Sequence, residues 1–302
     1  MKIAIVGLGR MGSQIARKLH EGGHTVVAHN RSTGVIDEMK SLGMFGAYTK
    51  EEVVFSFGKN QMIIWLMLPS TIIDEELDIW LKIIPPGSII IDGGNSKWSD
   101  TKKRAEKVQK AGSTLLDIGT SGGIWGYQNG FSMMVGGDKK SFDIVKPLLE
   151  TLEEPSGMHA YFGESGSGHY VKMVHNAIEY GMMESLAEGY QLLKEGPYKD
   201  LDLYKAGEVW QHHSVITSWL NELARDIVKK NPNQENVAGI VAESGEARWA
   251  LETAKDFNIE ARAIQSSFDV RLDSQKGKIN FATKMLASIR NAFGGHEING
   301  KQ

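Results

Sequence analysis

Lys2-Ile-Ala-Ile-Val6-Gly7-Leu-Gly9-Arg10-Met11-Gly12 opens the chain and decides its fold. The first five residues read as a short buried strand. Ser13–His20 then repeats at helical spacing, Gly22-Gly23 stops that helix, and Thr25–Ala28 reads as a second strand. Strand, glycine turn, helix and strand in so short a span is the pattern of a dinucleotide-binding unit. Its glycines allow a tight turn and let a pyrophosphate approach the helix N-terminus, where free N–H groups and the helix dipole favour an anion. A lone Gly-x-Gly-x-x-Gly says little, but between a strand and a helix it is specific. Gly7, Gly9, Arg10, Met11 and Gly12 are therefore the expected cofactor loop.

The end of the second strand separates the two nicotinamide cofactors. A carboxylate there would bind the ribose hydroxyls of NAD and repel a 2′-phosphate. This chain has His29-Asn30-Arg31-Ser32-Thr33, with no carboxylate before Asp37. Arg31 can pair with a phosphate and the hydroxyls can donate to it. Asn30, Arg31 and Ser32 thus point to NADP, with NAD left open.

Further strands follow at Gln61–Leu68, Ser88–Asp92 and Ser113–Asp117, with helical stretches at Thr71–Lys82 and Asp100–Ala111. That alternation implies a mostly parallel, doubly wound sheet covered on both faces. Ligands sit beyond the carboxyl ends of such strands, which places Asn95 in Gly93-Gly94-Asn95-Ser96. Ser121-Gly122-Gly123 offers a hydroxyl and open amides, a suitable cradle for a carboxylate. Phe131–Val135 with Gly136-Gly137-Asp138 reads as a hairpin edge, and Lys139–Leu152 as another helix.

Beyond about residue 164 strand rhythm gives way to long helical periods. The expected division is a Rossmann-type domain over 1–163 and an all-helical substrate and oligomerisation domain over 164–302, with a hinge near 160–167. Helices are predicted from Gly166 to Glu195 and over Lys199–Trp210, Ser214–Lys230, Glu246–Phe257, Glu260–Asp273 and Ile279–Phe293. In the first of these, Gly166-Ser-Gly-His-Tyr-Val-Lys172 opens with small residues, which suit a backbone lying close to another element. At about 100° per residue, Lys172, His175, Asn176 and Glu179 share one arc with Tyr180 at its edge. The other positions are apolar almost all round, so the helix is expected to be buried and its polar groups to need partners.

The 302 residues carry 34 Lys and Arg against 37 Asp and Glu, which gives no reason to expect nucleic acid or an anionic membrane as partner. There is no cysteine, so disulfides and thiolate metal sites are excluded. Four apolar residues before Gly7 are too few for a signal-peptide core, and runs such as Met62–Leu68 fall short of a membrane span. A cytoplasmic protein is expected.

Taken together, the motifs resemble the 6-phosphogluconate dehydrogenase family, within the wider β-hydroxyacid dehydrogenases. Gly-Leu-Gly-x-Met-Gly at 7–12, Asn-Arg-Ser at 30–32, Asp-Gly-Gly-Asn-Ser at 92–96 and Ser-Gly-Gly at 121–123 all fit. So do Gly168-His-Tyr-Val-Lys-Met-Val-His-Asn-Ala-Ile-Glu-Tyr180 and, near the end, Arg290-Asn-Ala-Phe-Gly-Gly-His296. The resemblance covers nearly the whole chain, whose length is similar to the family's short-chain branch.

The resemblance implies oxidative decarboxylation of 6-phosphogluconate to ribulose 5-phosphate, a step of the pentose phosphate pathway and gluconate use. It makes Lys172 the base for the C3 hydroxyl, its pKa lowered by burial beside other cations, and Glu179 the acid that protonates C1 of the enediol. Protonated Lys172 fills the electrophile's role, and no metal is expected. Asn95, Ser121, Gly122, Gly123, His175 and Asn176 would hold the carboxylate and hydroxyls, with Asn95 also near the cofactor. Tyr180, Arg271, Arg290 and His296 would take the phosphate, Arg290 and His296 reaching a neighbouring subunit of a homodimer or homotetramer. One departure stands out: the family's long-chain Lys-x-Thr pair is absent from Glu243-Ser-Gly-Glu-Ala-Arg-Trp249, which leaves Arg248 or Ser244 to replace it. The alternative is a relative acting on a small unphosphorylated acid, which would keep Lys172 but have no use for Arg290 and His296.

Overall fold

A computed structural model describes residues 1–298. It divides into two compact units, Met1–Met173 and Val174–Gln302. The first unit runs β1 (Lys2–Val6), α1 (Arg10–Glu21), β2 (Thr25–His29), α2 (Thr33–Ser41), β3 (Phe45–Ala47), α3 (Lys50–Phe57), β4 (Ile63–Leu66), α4 (Ile73–Trp80) and β5 (Ile89–Asp92). It continues through α5 (Trp98–Lys110), β6 (Thr114–Ser121), a 3-10 turn (Gly123–Trp125), α6 (Gly126–Asn129), β7 (Ser132–Gly137), α7 (Lys139–Glu153) and β8 (Met158–Gly163). Helix α8 (Ser167–Glu195) follows, then α9 (Leu203–Gln211), α10 (Trp219–Lys230), α11 (Glu246–Asp256), α12 (Arg262–Gln275) and α13 (Phe281–Gly294).

The sheet order is β3-β2-β1-β4-β5-β6-β7-β8, which bears out the doubly wound α/β class followed by an all-α region. Apolar strand runs put side chains on both faces under helices, which is why a parallel sheet carries little polar alternation. Ile3, Ile5, Trp65, Ile91 and Leu116 fill one core, while Ala4, Val6, Ile64, Leu66 and Ile90 fill the other. The order reverses between β1 and β4. Register aligns Val6 with Leu66, Leu66 with Asp92, and Asp92 with Asp117. The loops that leave β1, β5 and β6 therefore open along one edge, beside the topological switch point.

One expectation fails here. The stretch after Phe131 is not a sheet edge: β7 pairs antiparallel with β6 and parallel with β8. The missed strand, β8, is the true edge. Its sequence Met-His-Ala-Tyr-Phe-Gly is only half buried, so no continuous apolar run announces it.

In the helical unit, Met183, Ala187 and Tyr190 of α8 pack with Leu220, Ala224 and Val228 of α10 and with Met285, Leu286 and Ile289 of α13. Several helix starts are locally encoded. Ser218 accepts from the Asn221 N–H at 3.1 Å, and Asn280 forms a capping box with Thr283. The expectation that α8 is buried all round does not hold for the single chain: Ile178, Met182 and Leu192 are exposed.

Candidate active site

The glycine loop after β1 is built for close approach. A Cβ on Gly12 would lie 1.9 Å from the Gly7 carbonyl oxygen, and one on Gly7 would lie 2.4 Å from that of Met67. A Cβ on Gly9 would meet nothing within 4 Å. The loop is thus tight on its inner side and open at Gly9, which is the N-cap of α1 and makes no side-chain cap bond. That open cradle at a helix N-terminus fits a pyrophosphate. Asn30 holds the loop by accepting from the Leu8 N–H at 3.1 Å, so its role includes shaping the turn. Arg10 is exposed, and Met11 packs against the core. Arg31 and Ser32 stand exposed after β2. Asp37, the first carboxylate beyond, accepts from the Tyr48 hydroxyl at 2.5 Å.

Two more loops leave the same edge. Asp92 is buried and accepts from the Gly94 N–H at 3.3 Å and the Ser96 hydroxyl at 3.2 Å, folding a turn that leaves Asn95 exposed. Arg104 backs Asp92 at 3.4 Å and binds Asp74 at 2.7 and 3.0 Å. β6 runs on to Ser121, longer than its sequence suggests, and Gly122 and Gly123 turn it into the 3-10 segment.

The small residues at the start of α8 do what their size suggests. A Cβ on Gly168 would lie 2.5 Å from the carbonyl oxygens of Asp117 and Met134. Asp117, buried in the middle of β6, accepts from the Gly166 N–H at 2.8 Å and the His169 N–H at 2.9 Å. A carboxylate distant in sequence thereby caps the helix that carries Lys172. Lys172 is 7% exposed, and its Cβ would lie 2.2 Å from a Cβ on Gly119 of β6. Sequence reading named neither Asp117 nor Gly119, because both act through contacts between distant segments.

In the helical unit, α8 brings Tyr180 against α12. The Arg271 guanidinium carbon lies 3.1 Å from the centre of the Tyr180 ring. Arg271 is 1% exposed, and its Nε, Nη1 and Nη2 have no hydrogen-bond partner among the described residues. Burial lowers its pKa to about 10, opposed by Tyr180 and helped by the like charge of Arg290. Arg290 is also buried; burial lowers its pKa, against the pull of Tyr180, Glu179 and Glu246. The residues expected at a phosphate thus converge from α8, α12 and α13. Arg290 feels the charges of Glu179 and Glu246 and the Tyr180 hydroxyl within the helical unit. His296 lies against Phe293 with ring centres 6.4 Å apart.

Two further residues, Ser244 and Glu246, join this group. The Tyr180 oxygen lies 3.2 Å from the Ser244 N–H and 3.3 Å from its hydroxyl. Arg248, the other candidate for the missing pair, is instead tied to Glu243 at 2.6 and 3.1 Å. Asn176 donates to Glu246 at 2.9 Å and stands 2.9 Å from His175 Nδ1, which lies 4.0 Å from Glu179. Glu246 gave no sequence signal beyond its place at a helix start.

Comparison with known proteins bears on the family of the chain. The family model described as the NAD binding domain of 6-phosphogluconate dehydrogenase matches residues 2–162, and the one described as its C-terminal domain matches 168–299. A Bacillus subtilis protein, provisionally named a 6-phosphogluconate dehydrogenase, is 37% identical over 301 residues, covering 100% of both chains. A Haloferax volcanii protein named as the NAD(+)-dependent, decarboxylating enzyme is 34% identical, covering 100% of this chain and 99% of its own. Among solved structures, a Plasmodium falciparum 6-phosphogluconate dehydrogenase superposes with a TM-score of 0.81 at 24% identity, over 96% of this chain and 70% of that one. At that identity the superposition speaks for the fold, while the family models and full-length relatives go further: the chain belongs to the 6-phosphogluconate dehydrogenase family.

Proposed function

We propose that the chain oxidises and decarboxylates 6-phosphogluconate, giving ribulose 5-phosphate and CO2 with reduction of NADP. The observation that carries the substrate reading is Arg271, a fully buried guanidinium with three nitrogens lacking an acceptor among the described residues. A small unphosphorylated acid would leave that charge uncompensated, whereas a phosphate offers the several oxygens a guanidinium binds well.

A bound nicotinamide supplies the hydride acceptor for C3. Lys172 takes the C3 hydroxyl proton as the C3 hydrogen leaves as hydride. The resulting 3-keto acid then breaks its bond to the carboxylate, and the Lys172 ammonium donates to the keto oxygen as charge builds there. Glu179 delivers the proton to C1 of the enediol. Asn95, Ser121, Gly122, Gly123, His175 and Asn176 hold the carboxylate and hydroxyls. Tyr180, Arg271 and Arg290 hold the phosphate with Ser244 beside them, and His296 serves the same end of the substrate. Gly7, Gly9, Arg10, Met11, Gly12, Asn30 and Asn95 seat the dinucleotide, and Arg31 with Ser32 takes a 2′-phosphate.

The domain division at 163–164 and work in the cytoplasm belong to the same reading. So does assembly as a homodimer or homotetramer. Val209, Val215, Ile216 and Trp219 are exposed apolar side chains that an oligomer could cover.

The test is absorbance at the reduced-nicotinamide band with 6-phosphogluconate, run with NADP and with NAD. A rise with NADP well above NAD is expected. A rise mainly with NAD would keep the reaction and overturn the role of Arg31; no rise with either would overturn the substrate.

A further inference from the structure

Two buried groups of opposite charge stand in the helical unit without hydrogen-bond partners among the described residues. One is the Arg271 guanidinium on α12. The other is Oε2 of Glu184, a residue 6% exposed on α8. Glu184 lies one helical turn beyond Tyr180, the ring on which Arg271 stacks, and so extends the same face. The two groups act on each other electrostatically yet form no ion pair. Each alone is costly to bury. A phosphate relieves the guanidinium, but an anionic substrate cannot relieve a carboxylate. A proton can.

We propose that Glu184 sets the affinity of the phosphate site through its own protonation: protonated, it leaves the Arg271 charge to a phosphate dianion, and ionised, it competes with the phosphate for that charge. The proposal rests on the reading of Arg271 as a phosphate ligand. It assigns Glu184 a positioning role, since the carboxyl acts on substrate through Arg271.

The surroundings suit a group that titrates at working pH. Burial first, and then the Glu188 carboxylate one turn along α8, push the Glu184 carboxyl up to about 7, against the opposing pull of Arg271. Of the other charges, Glu179 on α8 and Arg290 on α13 face Arg271 itself. Ligand and proton are then linked: what proton uptake does for phosphate affinity, phosphate binding does for the proton.

The probe is sulfate, which stays a dianion where a phosphate ester is titrating near pH 6. Its inhibition constant against 6-phosphogluconate, and the rise in Tm it produces, are measured from about pH 6 to about pH 8.5 in the full-length protein. In the wild type sulfate should weaken roughly 5- to 10-fold across that range, an effect of one nearby charge. Glu184→Gln should flatten the profile. Glu188→Gln, an exposed change, should move its midpoint to lower pH. An unchanged slope in Glu184→Gln, or an unmoved midpoint in Glu188→Gln, overturns the proposal. Arg271→Ala should abolish the sulfate effect at every pH. Undiminished sulfate binding in that variant would overturn the phosphate reading itself, which separates the two failures.

Discussion

Arg271 is held against its own solvation: a guanidinium at 1% exposure, stacked on Tyr180, with nitrogens that no described residue accepts from. Replacing such a charge with an apolar side chain of similar length should stabilise the fold and damage the site. Arg271→Met is expected to raise unfolding free energy by about 1–3 kcal/mol in a denaturant titration, while KM for 6-phosphogluconate rises by roughly 100-fold or more. A loss of stability would mean that the charge is compensated in the free protein. At Lys172 the expected signature is the reverse. Lys172→Met should lower kcat by roughly 1,000-fold or more with little change in the midpoint of unfolding. Gly119→Ala tests the same side chain from behind, because the new Cβ would fall 2.2 Å from that of Lys172. The side chain must move, and a roughly 100-fold fall in kcat is expected. Lys172, Glu179, Tyr180 and Arg271 were legible in the sequence, since helical spacing and local motif mark them. Glu184 and Glu246 were not, since each matters through a partner distant in the chain.

Among the elements, α8 shows what local sequence leaves out. Its start lacks a side-chain cap of its own; the buried Asp117 of β6 accepts from the Gly166 and His169 N–H groups instead. Asp117→Asn keeps the size but puts an NH2 where one N–H needs an acceptor. A cost of about 1–3 kcal/mol is expected, with faster amide exchange at Gly166 and His169 than elsewhere in the helix. Equal protection in both proteins would show that the helix start is held by something else. The exposed Ile178, Met182 and Leu192 make a related point. Periodicity reports that a face is apolar but not whether the same chain covers it. β8 escaped notice for the complementary reason: at an edge, half-buried side chains suffice, and pairing with β7 rather than hydrophobicity makes it a strand.

For the whole molecule, the ionisation of Glu184 links stability to pH. Its carboxyl is raised from 4.5 to about 7 in the fold, so its contribution is fully present below about 4.5 and is lost as pH rises through about 7. Glu184→Gln should therefore be stabilising at about pH 8, by roughly 1–3 kcal/mol, and close to neutral at about pH 5. Equal effects at both pH values would sink this assignment. NADP should raise the Tm of the wild type more than NAD does at equal concentration, with the difference narrowed in Arg31→Ala. The sequence by itself determined the α/β class, the cofactor loop, the succession of helices and the arc from Lys172 to Tyr180, because periodicity and glycine spacing are local properties. Only the tertiary structure decided that Asp117 caps α8 and that Gly119 backs Lys172. It also decided that two opposite charges are buried without joining. Those facts depend on which distant segments pack together and on what burial costs a charge, and neither is written in any one stretch of the chain.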